Sequence, residues 1–108
     1  MKIKRNRFIP FKDFSAINIF GVIYARRDTF ISDRTIRHEQ IHTAQMKEML
    51  YILFYLWYAI EWFIRFIVYG FKSHKAYLNT SFEREAYKHQ DELDYARLRN
   101  RFEWLKHI

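Results

Sequence analysis

Ser32-Asp33-Arg34-Thr35-Ile36-Arg37-His38-Glu39-Gln40-Ile41-His42 opens the stretch that sets the architecture, because from here to Tyr69 no Gly or Pro interrupts the chain. Ser32-Asp33 supplies an N-cap, a short side chain whose oxygen can accept from a first-turn N–H. Helical spacing begins at Ile36. A single helix from there to Tyr69 would be about 50 Å long, too long for a compact domain of 108 residues. A bend, or two helices, is therefore expected near residues 47–52. Around the helix axis, one face collects Met49, Leu53, Leu56, Ile60, Phe63, Ile64 and Ile67. The other collects Tyr51, Tyr55, Tyr58, Trp62, Arg65 and Tyr69, with Glu61 at its edge, and that phenolic and charged stripe reads as the wetter face.

Upstream, Ala16–Arg26 is the best strand candidate, with Ile17, Ile19 and Ile23 at period two. Gly21 inside it suggests a bulge or a close backbone approach. Arg27-Asp28 reads as a turn, and Phe8–Phe11 is expected to pair at an edge because of Pro10. Downstream, Gly70 is a natural helix stop and residues 71–79 read as a loop. Thr80-Ser81 then caps a last helix running to about Lys106, burying Phe82, Ala86, Leu93, Ala96, Leu98, Phe102 and Leu105. The expected fold is α+β and predominantly helical, a single domain over residues 1–108. It comprises a β-strand or hairpin within 1–31, two helices within 33–70 and a C-terminal helix within 80–106.

Composition narrows the function classes. Two Gly and one Pro exclude collagen-like, linker-rich and many-turned all-β designs. With no Cys there is no disulfide framework, no Cys-based zinc ribbon and no thiol nucleophile, so any metal must be held by His and carboxylate. The net charge of +7 is unevenly placed: +5 over residues 1–48, zero over 49–71 and +2 over 72–108. Met1–Arg7 looks like the start of a signal peptide, but Phe8–Asp13 is too short and too interrupted to continue one. The expected location is the cytoplasm or the cytoplasmic face of a membrane. Nucleic acid is not the expected partner, since Arg97 and Arg101 share a helix face that Arg99 does not, and no binding motif appears.

His38-Glu39-Gln40-Ile41-His42 is an H-E-x-x-H. On a helix the two imidazoles, four residues apart, point the same way and can grip one ion. Glu39 lies about 60° round from His42, beside the ion, where it can take a proton from a bound water. Zn²⁺ lowers the pKa of such a water to about 7, so a carboxylate suffices as general base. A third protein ligand is required, with the fourth position left to water. In the extended form of the motif, Gly would stand at position 45 and the ligand at 48. Gln45 does not turn the chain, and an unbroken helix points Glu48 about 240° from His42. The remaining alternative is a Glu from a separate, downstream helix.

With these residues the chain resembles the HExxH zinc peptidases of the gluzincin branch. In that branch the third ligand is the Glu of an E-x-x-A-like stretch opening a later helix. Asn79-Thr80-Ser81-Phe82-Glu83-Arg84-Glu85-Ala86-Tyr87 contains it as Glu83 to Ala86. Both this segment and the H-x-x-Q of His42 to Gln45 are similar to the short, single-domain bacterial minigluzincin type. The resemblance covers about residues 15–90. It implies His38, His42 and Glu83 as zinc ligands, Glu39 as the base, and peptide or protein as the substrate. Glu83 is also N3 of a capping box if Thr80 is the N-cap, and Glu85 is the runner-up ligand. Where the gluzincin pattern has an acid four residues after the ligand Glu, to hold a ligand His, this chain has Tyr87, expected to reach the His Nδ1 instead. His74, Tyr77 and Tyr87 are the candidates for stabilising the oxyanion.

The aromatic stretch Met49–Phe71 is long enough to cross a bilayer, but its apolar gain and the cost of Glu61 and Arg65 nearly cancel. A single crossing would also put the His pair and Glu83 on opposite sides, about 30 Å apart. A core or interfacial helix is therefore expected. The competing reading is a small membrane-associated basic protein with a structural or vestigial metal site.

Overall fold

A computed structural model describes residues 2–6, 16–27 and 30–108. The fold is α+β and predominantly helical, as the sequence implies. The stretch expected as one strand is a hairpin: β2 (Ala16–Ile19) and β3 (Val22–Arg26) pair antiparallel, with Ile19 opposite Val22. Phe20 and Gly21 between them both have positive φ, 50° and 85°, the combination that lets a two-residue turn follow the twist of its strands. Gly21 is thus a turn residue rather than a bulge. It also sits close to the next element, since a Cβ there would lie 3.4 Å from Thr43 Cγ2. β1 (Ile3–Asn6) adds to β3 in parallel, giving the order β1-β3-β2. The expected pairing of Phe8–Phe11 and the Asp28 half of the Arg27-Asp28 turn lie outside the described residues.

Helix α1 (Asp33–Glu48) starts where its cap predicts, with Ser32 accepting from the Thr35 N–H. The expected break follows. Tyr51 N donates to Met46 O at 2.8 Å and Leu50 N to Lys47 O at 3.3 Å, the paired bonds that close a helix C-terminus. That closure needs a left-handed residue, and here Leu50 (φ 55°) and Tyr51 (φ 60°) take it without glycine, at about 1–3 kcal/mol each. Helix α2 (Ile52–Val68) then leaves α1 with a bend of 111°. The same closure ends α2, with Gly70 in the left-handed position.

Residues 71–79, expected as a loop, contain the short helix α3 (Ser73–Leu78). Six residues are too few to show a period, and α3 is held by its surroundings: Trp62 Nε1 donates to Ser73 O, and Asn79 Nδ2 to Lys75 O.

The C-terminal region is not one helix. It divides into α4 (Ser81–His89), α5 (Tyr95–Leu98) and a 3₁₀ turn over Glu103–His107, with Asp94 and Phe102 in left-handed conformations. Phe82 and Ala86 are buried as expected, whereas Leu93, Leu98, Phe102 and Leu105 are exposed and Ala96 is half-buried. The cause is Arg99. On a straight helix it would stand about 21 Å beyond Glu85. Instead the chain doubles back, and Arg99 donates to Glu85 (Nε 2.5 Å, Nη2 2.8 Å) and to Glu48 (3.0 and 3.1 Å).

Among the described residues one hydrophobic cluster comprises Met46, Met49, Phe54, Phe82 and Trp104, with Tyr51, Tyr55 and Tyr58 packed against it. Phe82 stands 4.5 Å from Phe54 and 4.6 Å from Trp104, ring centre to ring centre. The tyrosine stripe of α2 therefore faces inward, and the apolar face faces out, the reverse of the expected orientation. The stripe is polar because it serves hydrogen-bond partners within the fold. Tyr55 Oη accepts from Phe20 N, Tyr58 Oη donates to Glu83, and Glu61 accepts from the Ser81 hydroxyl and backbone N–H. Arg65 lies 3.9 Å from Glu61, the i,i+4 pairing that the spacing allows.

Arg99 is bonded to two carboxylates that are themselves buried or nearly so, and no other cation among the described residues is. Replacing it by methionine, Arg99→Met, leaves those charges uncompensated and should lower unfolding stability by about 3–5 kcal/mol. The shift of the urea midpoint, together with an unchanged slope, measures it.

Candidate metal centre

Helix α1 projects His38 and His42 toward the N-terminal turn of α4, where Glu83 meets them. His38 Nε2 lies 3.0 Å and His42 Nε2 2.9 Å from the same carboxylate oxygen, Glu83 Oε1, and the two ring nitrogens are 3.1 Å apart. All three residues are buried. The downstream helix thus delivers the carboxylate that the His pair requires.

The far side of each ring decides what the near side can do. His42 Nδ1 faces Gln45 Oε1 at 2.8 Å. The amide of Gln45 cannot be turned round, because its nitrogen donates to two acceptors, Phe82 O and Glu85 Oε1. His42 therefore carries its proton on Nδ1, and the neutral ring presents a lone pair from Nε2. His38 Nδ1 faces Gln90 Oε1 at 3.0 Å, and with the proton on that nitrogen its Nε2 presents a second lone pair. Two lone pairs and a carboxylate oxygen converge on one point, and only a cation satisfies all three. A tetrahedral ion with bonds of about 2.0–2.1 Å holds its ligands about 3.3 Å apart, so these atoms need separate only slightly. The group fits a metal ion.

Without one, a proton takes its place. Burial opposes a charge on His42, but the Glu83 carboxylate beside it and the charge of Glu39 raise its pKa to about 9. Burial likewise opposes ionisation of Glu83, and the positive charge on His42 with the hydrogen bonds from both rings brings it down to about 2.

Glu39, the expected base, lies outside the ligand group but close enough for its charge to act on His42. Burial pushes its pKa above the usual carboxylate range, Glu83 adds to the rise, and the two histidines oppose it. Its backbone is fixed by Asn18, whose Nδ2 donates to Glu39 O and to Thr43 Oγ1.

Tyr87 does not hold a ligand Nδ1, since the two glutamines occupy those positions. Its ring lies 4.4 Å from that of His38 instead. Tyr77 is hydrogen-bonded to Tyr87, and burial pushes its hydroxyl pKa well above the usual value. His74 is exposed and touches the Tyr77 ring from outside at 5.9 Å. Glu85, the runner-up ligand, points away into the Gln45, Tyr95 and Arg99 bonds. Glu48 pairs with Arg99 rather than the site.

Tyr58, Gln45 and Gln90 were not among the expected site residues. Tyr58 donates to Glu83 Oε2 at 2.9 Å, and only the phenolic stripe hinted at it. The capping box is split. Thr80 Oγ1 accepts from Glu83 N, but the carboxylate serving the start of α4 comes from Glu61, and this leaves the Glu83 carboxylate for the histidines. A cleft lined by Gly21, Gln40, Thr43, Ala44 and Lys47 lies on the other side of α1 and touches none of the ligands.

A metal ion must displace the His42 proton, so its affinity should rise about tenfold per pH unit up to about pH 9 and level off above. Gln90→Ala removes the partner of His38 Nδ1 from a half-buried helix end. It should weaken binding by about 10- to 100-fold with the fold retained. Competition titrations against a chelator, run over pH, read both. Comparison with known proteins yields no match to a family model, to a curated protein or to a solved structure.

Proposed function

We propose that this chain is a zinc-dependent peptidase of the HExxH type, with His38, His42 and Glu83 as the ligands and Glu39 as the general base. One observation carries the reading: a Glu from a separate helix meets the H-E-x-x-H imidazoles within 3.0 Å, with Glu39 alongside. Zinc is the metal this donor set suits, two imidazoles and one carboxylate. When bound, the ion supplies Lewis acidity, polarising a peptide carbonyl and making water acidic near neutral pH.

The chain's own groups do the rest. Glu39 takes a proton from the attacking water and returns it to the leaving amine, and its raised pKa suits it to both steps near neutral pH. Gln45 and Gln90 keep the ring lone pairs aimed inward. Tyr58 fixes the second oxygen of Glu83, leaving the first for the ion. Tyr87, whose ring packs against His38 and whose hydroxyl is bonded to Tyr77, is the group we assign to donate to a developing oxyanion. His74 has no part in this arrangement.

The depth of the site favours a second reading. All three ligands are nearly closed to solvent, as in metal sites that tie helices together without turnover. Glu39→Gln separates the two. Wild type should carry about one zinc per chain, and His42→Ala none. Glu39→Gln should keep its zinc and lose hydrolysis of a quenched-fluorescence peptide library by about 100- to 10,000-fold. Wild type that holds no metal at micromolar zinc would overturn both readings. Wild type that holds zinc without cleaving peptides would leave the structural one.

A further inference from the structure

We propose that the outer face of α2 docks onto a lipid bilayer with anionic headgroups, the helix lying in the plane of the interface. This inference is independent of the metal site and its chemistry.

The helix is turned inside out relative to an ordinary surface helix. Every exposed side chain of α2 is apolar, and its polar groups, Tyr58 and Glu61 among them, point into the protein. Ile60, Phe63 and Ile64 are each more than half exposed, at 54%, 57% and 55%, while Glu61 between them is 8% exposed. These outward residues take no part in the core, so polar residues there would leave the fold unharmed. Their apolar character therefore answers to something outside the fold.

Breadth and charge identify the occupant. Placed at 100° per residue, the exposed positions span about 180° of the helix, far wider than the seam that one partner helix covers. Fluid lipid covers a face of any width. Glu61 is the only carboxylate between residues 49 and 82, and it is buried. The exposed charges that follow α2 in the chain are the cations Lys72 and Lys75, the latter with its ammonium 4.6 Å from the centre of the Tyr69 ring, and Phe71 beside them is 70% exposed. A second copy of this chain, itself at +7, would meet like charge there, whereas anionic headgroups would meet opposite charge. Among the described residues no single helix is long and apolar enough to cross a membrane, which suits a helix lying at the surface.

Vesicle flotation of the full zinc-loaded chain tests this. The protein should float with vesicles of equal parts phosphatidylcholine and phosphatidylglycerol, and more weakly with phosphatidylcholine alone. The pair Ile60→Asp and Ile64→Asp changes only water-exposed positions. It should keep the circular dichroism spectrum and zinc content of wild type and lose vesicle binding by about tenfold or more. Lys72→Gln with Lys75→Gln, a second variant far from the core, should weaken binding to the anionic vesicles by about fivefold per lysine. Three results would overturn the proposal: wild type that floats with neither vesicle, flotation undiminished by the aspartate pair, or a lipid-free dimer of wild type that the aspartate pair dissolves.

Discussion

A carboxylate oxygen about 3 Å from two imidazole nitrogens, all buried, demands positive charge at the point where they meet. That demand organises the molecule. It fixes where the first turn of α4 sits on α1, because Glu83 lies on one helix and the histidines on the other. It also removes Glu83 from the task its position would give it, since the third residue of a helix after a Thr cap ordinarily reaches back to the cap. Glu61 of α2 takes over at the start of α4. Three helices are thus locked by two carboxylates, each bonded to a different helix from its own.

A second buried charge cluster supports the first from behind. Gln45 links them: its oxygen faces His42, and its nitrogen donates to Glu85, which is in turn held by Arg99. Burying one guanidinium with two carboxylates adds little net stability compared with apolar packing. It does specify a single arrangement, because any other would strand a charge. In a domain of this size, polar specification of this kind supplements the packing of Met46, Met49, Phe54, Phe82 and Trp104.

The parts of this design that depend on short-range chemistry are legible in the sequence. Ser32 as a cap, Gly70 as a stop and the convergent spacing of His38 and His42 all follow from local rules, and a break near residues 47–52 follows from the length of the uninterrupted run. Glu83 was within reach only through resemblance to a known pattern, because nothing local distinguishes a ligand from a capping-box residue. What escaped notice depends on tertiary context. Asp94 and Phe102 adopt left-handed conformations that their residue types disfavour, so no turn signal marks the breaks in the C-terminal region. Gln45 and Gln90 look like ordinary helix-surface amides until the rings they face are in place. The orientation of α2 is hidden in the sequence for the same reason. A polar stripe signals solvent only when the protein has no buried polar groups to satisfy, and here it has several.

Amphipathicity tells which sides of a helix differ, not which of them is wet. Tyr58 and Glu61 must face inward because Glu83 and the start of α4 need hydrogen-bond partners that no apolar residue can supply. Once those positions are assigned to the interior, the periodicity of the helix forces Leu53, Leu56, Ile60, Phe63, Ile64 and Ile67 outward. Geometry dictates where these six residues point but not that they be apolar, since an exposed helix position accepts Lys, Glu or Gln at no cost to its propensity. The site therefore determines the direction of α2, and the character of its outer face is a separate choice, made by whatever that face meets.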